Sequence, residues 1–248
     1  LGSDKFKREY PACIDDAFHF GTAAYFNPND LDIIEALHFN GSERKYEDVY
    51  DDDVYAIGVD CAGGVGGDYS CISVVSLASK EIAYQYRSNT VLPVEFAEQV
   101  LKVAQLYNDA TVLVETNNHG HLVLHKLDEW GYKNLWKSAK NKDWVTSAKS
   151  KIEMYEVLRE IISNNMITRM DMSTLMELRS MTIFKVAPEA PPGMHDDLAD
   201  SLALAYRCSV DIPSYVVQNA KRSWMDNMLS SKRANRIRMM RLPYKRAE

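Results

Sequence analysis

Three groups of carboxylates stand out by residue type and position. Asp60 closes the apolar run Val54-Tyr55-Ala56-Ile57-Gly58-Val59, and Glu115 closes Thr111-Val112-Leu113-Val114. Asp196, Asp197 and Asp200 open a further apolar stretch, Leu198 to Cys208. A carboxylate at the end of a buried segment is costly unless it is paired or holds a cation. Three or more brought to one place repel one another strongly. With two Mg²⁺ or Mn²⁺ ions roughly 3.5–4 Å apart they become a site for phosphodiester hydrolysis. Each alone has a plainer explanation: a strand end, a partner for Lys or Arg, or N-cap residues favoured by the helix dipole. The ordered set carries the argument. Asp68, His195, Lys149 and Lys151 are auxiliary candidates for neutralising charge or handling a proton.

The elements that must position these groups are readable in outline. Val54–Asp60, Ser70–Leu77 and Ile82–Arg87 have the β-rich apolar character of strands, and their short connections predict an antiparallel meander. Pro93 opens a helix with Phe96, Val100, Val103 and Leu106 on one face. Thr111–Glu115 follows as a strand, so a right-handed crossover would lay it parallel to an earlier one. If its neighbour is the first strand, Asp60 and Glu115 leave the same edge of the sheet, where ligands of parallel sheets commonly bind. His119–Trp130 reads as a helix, Asn134-Leu135-Trp136 as a fifth strand, Ser147–Ser163 as a strongly amphipathic helix and Leu175–Met181 as a shorter one. Near the start, Asn27-Pro28-Asn29-Asp30 signals a helix carrying Leu31, Ile34 and Leu37, and the acidic run Glu47–Asp53 reads as a surface linker.

Gly58-Val59-Asp60-Cys61-Ala62-Gly63-Gly64 through Gly67-Asp68-Tyr69-Ser70 resembles the first nuclease motif of phage terminase large subunits. Val114-Glu115-Thr116-Asn117-Asn118-His119-Gly120 resembles their second motif, and His195-Asp196-Asp197-Leu198-Ala199-Asp200-Ser201-Leu202-Ala203-Leu204-Ala205 their third. The resemblance runs from about residue 20 to 210. It implies an α/β fold of the RNase H-like (resolvase and integrase) type, a mixed central sheet flanked by helices. It also implies a metal-dependent endonuclease that cuts concatemeric viral DNA during genome packaging. Carried over by position, Asp60, Glu115 and one acid of the Asp196–Asp197 pair would hold the metals; Asp197 is favoured, with Asp196 and Asp200 as helpers, since the sequence leaves the helix phase open. No GxxxxGK[ST] loop is present, so no ATP site is expected in this chain. Implied partners are double-stranded DNA, the portal or procapsid, the small terminase subunit and the ATPase domain of a full-length protein. The implied location is the host cytoplasm rather than the mature virion, and the isolated domain is expected to be a monomer. Two other readings remain: an RNase H-fold Holliday-junction resolvase, and a catalytically silent docking module.

Composition sets the frame. The chain has 248 residues, 46% hydrophobic and 26% charged, enough for one sizeable core and unlike a disordered or disulfide-built chain. No apolar run is long enough for a membrane span, and the N-terminus has no signal core. Four scattered cysteines without a CxxC pair suit a reducing compartment. Net charge is −6, but residues 221–248 hold nine basic and two acidic residues. Lys221, Arg222, Lys232 and Arg233 in this tail are candidate DNA contacts. The expected division is an extension or linker over 1–50, the nuclease domain over 51–210 and the basic tail over 211–248. Gly63-Gly64-Val65-Gly66-Gly67-Asp68 leads into a strand rather than a helix, so it reads as a hairpin turn and not a phosphate cradle. His119, His121 and His125 read as surface histidines rather than a zinc cluster, with His119 able to approach the second motif. Trp130, Trp136, Trp144 and Trp224 read as packing residues rather than base-stacking ones.

Overall fold

The structure, a computed structural model, describes residues 24–184, 186–213 and 216. The basic tail with Lys221, Arg222, Lys232, Arg233 and Trp224 lies outside the described residues. Five strands form the central sheet: β2 (Glu43–Lys45), β3 (Tyr55–Asp60), β4 (Ser70–Ser76), β5 (Ile82–Ser88) and β6 (Thr111–Val114), in the spatial order β2-β5-β4-β3-β6. The first three pairings are antiparallel, and β6 runs parallel to β3 with Val59 opposite Val114. The meander and the crossover expected from sequence are thus both present. The fifth strand differs. It is β2, at the far edge, where the alternation of burial in Glu43-Arg44-Lys45 is visible only once its partner is known. Leu135 instead makes a single parallel bridge to Val112, through Val112 N–H to Asn134 O and Trp136 N–H to Val112 O, both 2.8 Å.

Strand periodicity sorts the sheet into two faces. Tyr55, Ile57 and Val59 of β3 and Val112 and Val114 of β6 pack on helices α2 (Pro93–Leu106) and α3 (Gly120–Glu129). Ala56 and Leu113 belong to the opposite core, under α4 (Ala148–Ser163), α5 (Met172–Ser180) and α6 (Asp197–Val210). Fully burying a Val, Ile, Leu or Phe contributes roughly 1.5–3 kcal/mol, so both cores hold the sheet firmly. Asp60 and Glu115, in step with Ala56 and Leu113, therefore leave the sheet on the α6 side. At Gly58 the helix lies directly on the strand: a Cβ there would meet Ser201 O at 2.1 Å and Ala205 N at 2.3 Å. A buried polar chain ties the same layers together. Ser201 and Ser73 hydroxyls lie 2.8 Å apart, Gln85 Nε2 donates to Ser73 Oγ (3.0 Å), and Tyr46 and Thr174 hydroxyls donate to Gln85 Oε1 (2.7 and 3.0 Å).

Residues 24–50, expected as an extension ahead of the domain, pack into it. Tyr25, Phe26, Leu31, Ile34 and Tyr46 join the α6-side core. The expected helix at Asn27 is short: α1 (Pro28–Asp32) is capped by Asn27, whose side chain accepts from Asn29 N–H. Glu35–Leu37 then forms β1, parallel to β7 (Arg169–Asp171), because the Glu35 N–H finds Thr168 O at 2.9 Å. Tertiary pairing overrides the helical spacing of the apolar residues here. Arg44 anchors β2 through a buried pair with Asp171 at 2.9 Å. The run Glu47–Asp53 is not wholly a surface linker either. Asp53 is buried and accepts from Ser76 Oγ (2.5 Å), Val54 N–H and Ala78 N–H. A small hairpin, β8 (Thr182–Phe184) with β9 (Ala187–Glu189), precedes α6. No helix of the described residues is long and apolar enough to cross a membrane.

Candidate active site

The parallel β3–β6 pair continues one residue past β6, with Glu115 N–H on Val59 O at 3.0 Å. That bond sets Asp60 and Glu115 side by side at the end of the parallel pair. Burial, then the charges of Glu115, Asp200 and Asp197, push the Asp60 carboxyl well above the usual carboxylate range. Asn117 orients its neighbour: Nδ2 donates to Glu115 Oε1 and to Thr146 O, both at 3.0 Å. Gly120 permits this tight corner, since a Cβ there would lie 1.6 Å from Glu115 O.

The start of α6 supplies the other acids, and the structure fixes the phase that the sequence left open. Asp197 turns toward Asp60 and lines a cavity of about 570 Å³ with Asp60, Asp68, Tyr69, Asn118 and His119. Its Oδ2 is buried without a hydrogen-bond partner; His195 Nδ1 is 3.2 Å away, as an ion pair if protonated. Burial raises the Asp197 carboxyl, opposed by a hydrogen bond from Tyr69 N–H, with Asp196 raising it further. Asp68, His195 and Asp197 each present a ligand atom, all within 4.8 Å of one another.

Asp196 and Asp200 answer to a different partner. Lys151 Nζ lies 2.8 Å from Asp196 Oδ2 and 3.1 Å from Asp200 Oδ2, and the buried Tyr155 hydroxyl donates to Asp200 Oδ1 at 2.6 Å. Asp196 occupies the N-cap position, yet its side chain makes no cap hydrogen bond and serves Lys151 instead. Burial brings Asp200 up to about 7 against the pull of Lys151. Burial opposes the charge on Lys151, but Asp200 and Asp196 outweigh it and hold the ammonium protonated. Lys149, two residues earlier, is exposed at the start of α4 and takes no part in this cluster. His119 lies over Gly63, where an added Cβ would meet its Nε2 at 3.1 Å, whereas His121 and His125 are on the exposed side of α3. Trp136 and Trp144 pack edge to face, ring centroids 5.7 Å apart.

A supporting layer had no sequence signal. Arg87 of β5 stacks on Tyr69 with its guanidinium carbon 3.6 Å from the ring centroid, and Tyr69 meets His195 edge-on at 5.1 Å. Arg87 also reaches Glu177 of α5 at 3.5 Å. Glu177 Oε2 accepts from Ala199 N–H at 3.0 Å and so braces the first turn of α6. Asn117, Tyr155, Arg87 and Glu177 were all missed as contributors. Asn117, two residues from Glu115, is the one that local spacing could have flagged.

Asp60, Asp68, Glu115, Asp196, Asp197 and Asp200 at the carboxyl edge of a β3–β6 parallel pair, under a helix crossing the sheet, define an RNase H-like domain with an acidic centre. Residues 57–207 match the family model "Terminase RNaseH-like domain", and the chain belongs to that family. It is 26% identical over 207 residues to the terminase large subunit of Thermus phage G20c, covering 82% of this chain and 40% of that protein. The chain thus spans about 40% of the length of this curated relative. The structure resembles the crystal structure of the large terminase nuclease of phage G20c with bound magnesium: TM-score 0.62 and 27% identity, over 72% of this chain and 94% of that one. The same G20c nuclease has also been solved with cobalt and with zinc. The nuclease domain of the Thermus phage P74-26 large terminase gives a TM-score of 0.60 at 25% identity, over 71% and 92% of the two chains.

Proposed function

We propose that this domain is the metal-dependent DNA endonuclease of a viral packaging terminase, with Asp60, Glu115 and Asp197 as its metal ligands. The observation that carries the reading is the convergence of three acids at one sheet edge: Asp197 lines the same cavity as Asp60, and the charges of Glu115 and Asp197 both press on the buried Asp60 carboxyl. Carboxylates crowded together and buried are costly unless a cation offsets their charge, and such oxygen ligands suit a hard divalent cation. The similarity to a nuclease crystallised with magnesium, cobalt and zinc supports the same choice.

Each residue then has a task. Asp60, Glu115 and Asp197 would hold the divalent metal, with Glu115 held in place by Asn117. Asp196 and Asp200 are committed to Lys151, which limits the negative charge that the centre presents to a phosphate backbone. Asp68 and His195 extend the centre on its Asp197 side. When bound, Mg²⁺ or Mn²⁺ would activate a water and offset charge on the leaving 3′ oxygen. The substrate is double-stranded DNA, in a packaging motor where the domain works with the ATPase domain of the full-length protein, the small subunit and the portal or procapsid, in the host cytoplasm.

The test is a supercoiled plasmid titrated with Mg²⁺ and Mn²⁺. Nicking and linearisation that need the metal and stop with EDTA are the expected result. Cutting confined to four-way junctions would replace the reading with a resolvase, and no cutting of either substrate would leave a docking module.

A further inference from the structure

The acidic centre must accept a polyanion, so something beside it has to attract one. Residues 133–151 carry six lysines and a single acid, Asp143, in a chain of net charge −6. Their path is unusual. Leu135 bridges to Val112 and Trp144 bridges to Glu115, both in parallel register. Two residues of β6 separate those points, but the outer segment spends eight, 136–143, between them. The surplus leaves the sheet edge as a tight turn. Ser138 N–H donates to Lys142 O (2.9 Å), Asn141 N–H donates to Ser138 O (2.7 Å), and Ser138 Oγ accepts from Lys142 N–H (3.0 Å). Asn141 takes the left-handed conformation that closes it, with φ +55°.

The turn is clamped to the centre itself. Trp144 O accepts from Thr116 N–H (3.0 Å) and Thr116 Oγ1 (2.7 Å), and Thr146 O accepts from the same Asn117 amide that orients Glu115. Three residues of strand put the base of the turn within about 10 Å of Glu115 along the sheet. Lys140, Lys142 and, past the clamp, Lys149 are exposed, and none has a side-chain partner among the described residues. Lys137, by contrast, is paired with Asp143.

We propose that the basic turn 137–142, continued by Lys149, is a phosphate-binding rail that carries the DNA backbone across the β6 edge into the acidic centre. This rests on the nuclease reading and adds to it the route by which DNA arrives. The rail supplies positive charge without contacting the reacting atoms, so it governs affinity and its salt dependence.

The test uses the full chain carrying Asp60→Asn, so that binding is read without cutting, and a fluorescent 20-base-pair duplex in EDTA over a salt series. Adding K140Q, K142Q and K149Q should lower the slope of log K against log salt by about 2–3, since each lost phosphate contact removes about 0.9. Affinity at moderate salt should fall about tenfold or more. K102Q, an exposed lysine on α2, should change neither. An unchanged slope in the triple variant, with melting temperature preserved, would overturn the rail. So would an unchanged slope accompanied by lost binding to polyglutamate, which would make the turn a docking site for an acidic protein. Failure of the unmutated chain to cut plasmid would overturn the nuclease reading and leave the measured slopes to decide the rail independently.

Discussion

Asp60→Asn should move activity and stability in opposite directions. The side chain keeps its shape and loses its charge at the point where Glu115, Asp197 and Asp200 converge on it. Two unit charges about 4 Å apart repel by about 4 kcal/mol at an effective dielectric near 20. The raised Asp60 carboxyl already relieves part of that repulsion, so removing its charge should stabilise the metal-free protein by about 1–3 kcal/mol. For a domain of this size, about 2–4 °C per kcal/mol converts this into a rise in melting temperature of about 3–10 °C. The same charge attracts a divalent cation. Losing even 4 kcal/mol of that attraction lowers occupancy at fixed metal by about 10³-fold. Differential scanning fluorimetry at pH 8 in EDTA and then in Mg²⁺, alongside plasmid cutting, reads all three quantities. Ion binding at 100 times its Kd adds about 2.7 kcal/mol to the parent protein, and the variant should lack that increment. A variant that melts several degrees lower in EDTA would show that Asp60 is a structural group. One that still cuts would refute the assignment outright.

Asn117→Ala should leave the fold intact and lower cutting by about 10–100-fold, as expected for loss of a group that orients a ligand; raising the metal concentration should recover part of the rate, and an unchanged rate would remove Asn117 from the site. Arg44→Ala should cost about 3–5 kcal/mol by leaving Asp171 buried and unpaired, seen as a drop in urea midpoint with an unchanged m-value; a loss under 1 kcal/mol would mean that β2 contributes little. Burial raises Glu177 from 4.5 to about 8, opposed by its hydrogen bond from Ala199 and by Arg87. The folded state therefore favours the protonated form, so this contribution is present below about pH 4.5 and lost as pH rises through 8. At most about 4–5 kcal/mol is involved. Glu177→Gln, which can still accept from Ala199, should gain stability over the parent between pH 5 and 8.5, and parallel pH profiles for the two proteins would refute the shift.

The legible parts of this molecule are those whose pattern is local. Strands β3 to β6 announce themselves as apolar, β-rich runs, β3 and β6 closed by an acid, and Ser147 before a 3.6-residue repeat marks α4 within a residue. Asp60, Glu115 and the opening of α6 were readable because chemistry placed charge where burial forbids it. Other features depend on partners far along the chain. Leu31, Ile34 and Leu37 keep helical spacing, yet Glu35–Leu37 is a strand because β7, more than 130 positions away in the sequence, supplies the carbonyls. The pairing of Asp196 and Asp200 with Lys151 is of this kind, since the lysine lies 45 and 49 positions away on another helix. Arg87, a polar residue at the end of β5, gives no hint in its own neighbourhood that it stacks on Tyr69.

The bare hydrogen at Gly58 has a mechanical consequence. Because α6 rests on β3 main chain against main chain, there is no flexible spacer that could let the acids on the helix drift from the acid on the strand. The spacing between the acids of the helix and the acid of the strand is then dictated by the thickness of two backbones, a quantity that heat and crowding barely alter. Any side chain at this position would have to push α6 away from β3, taking the acids of the helix with it.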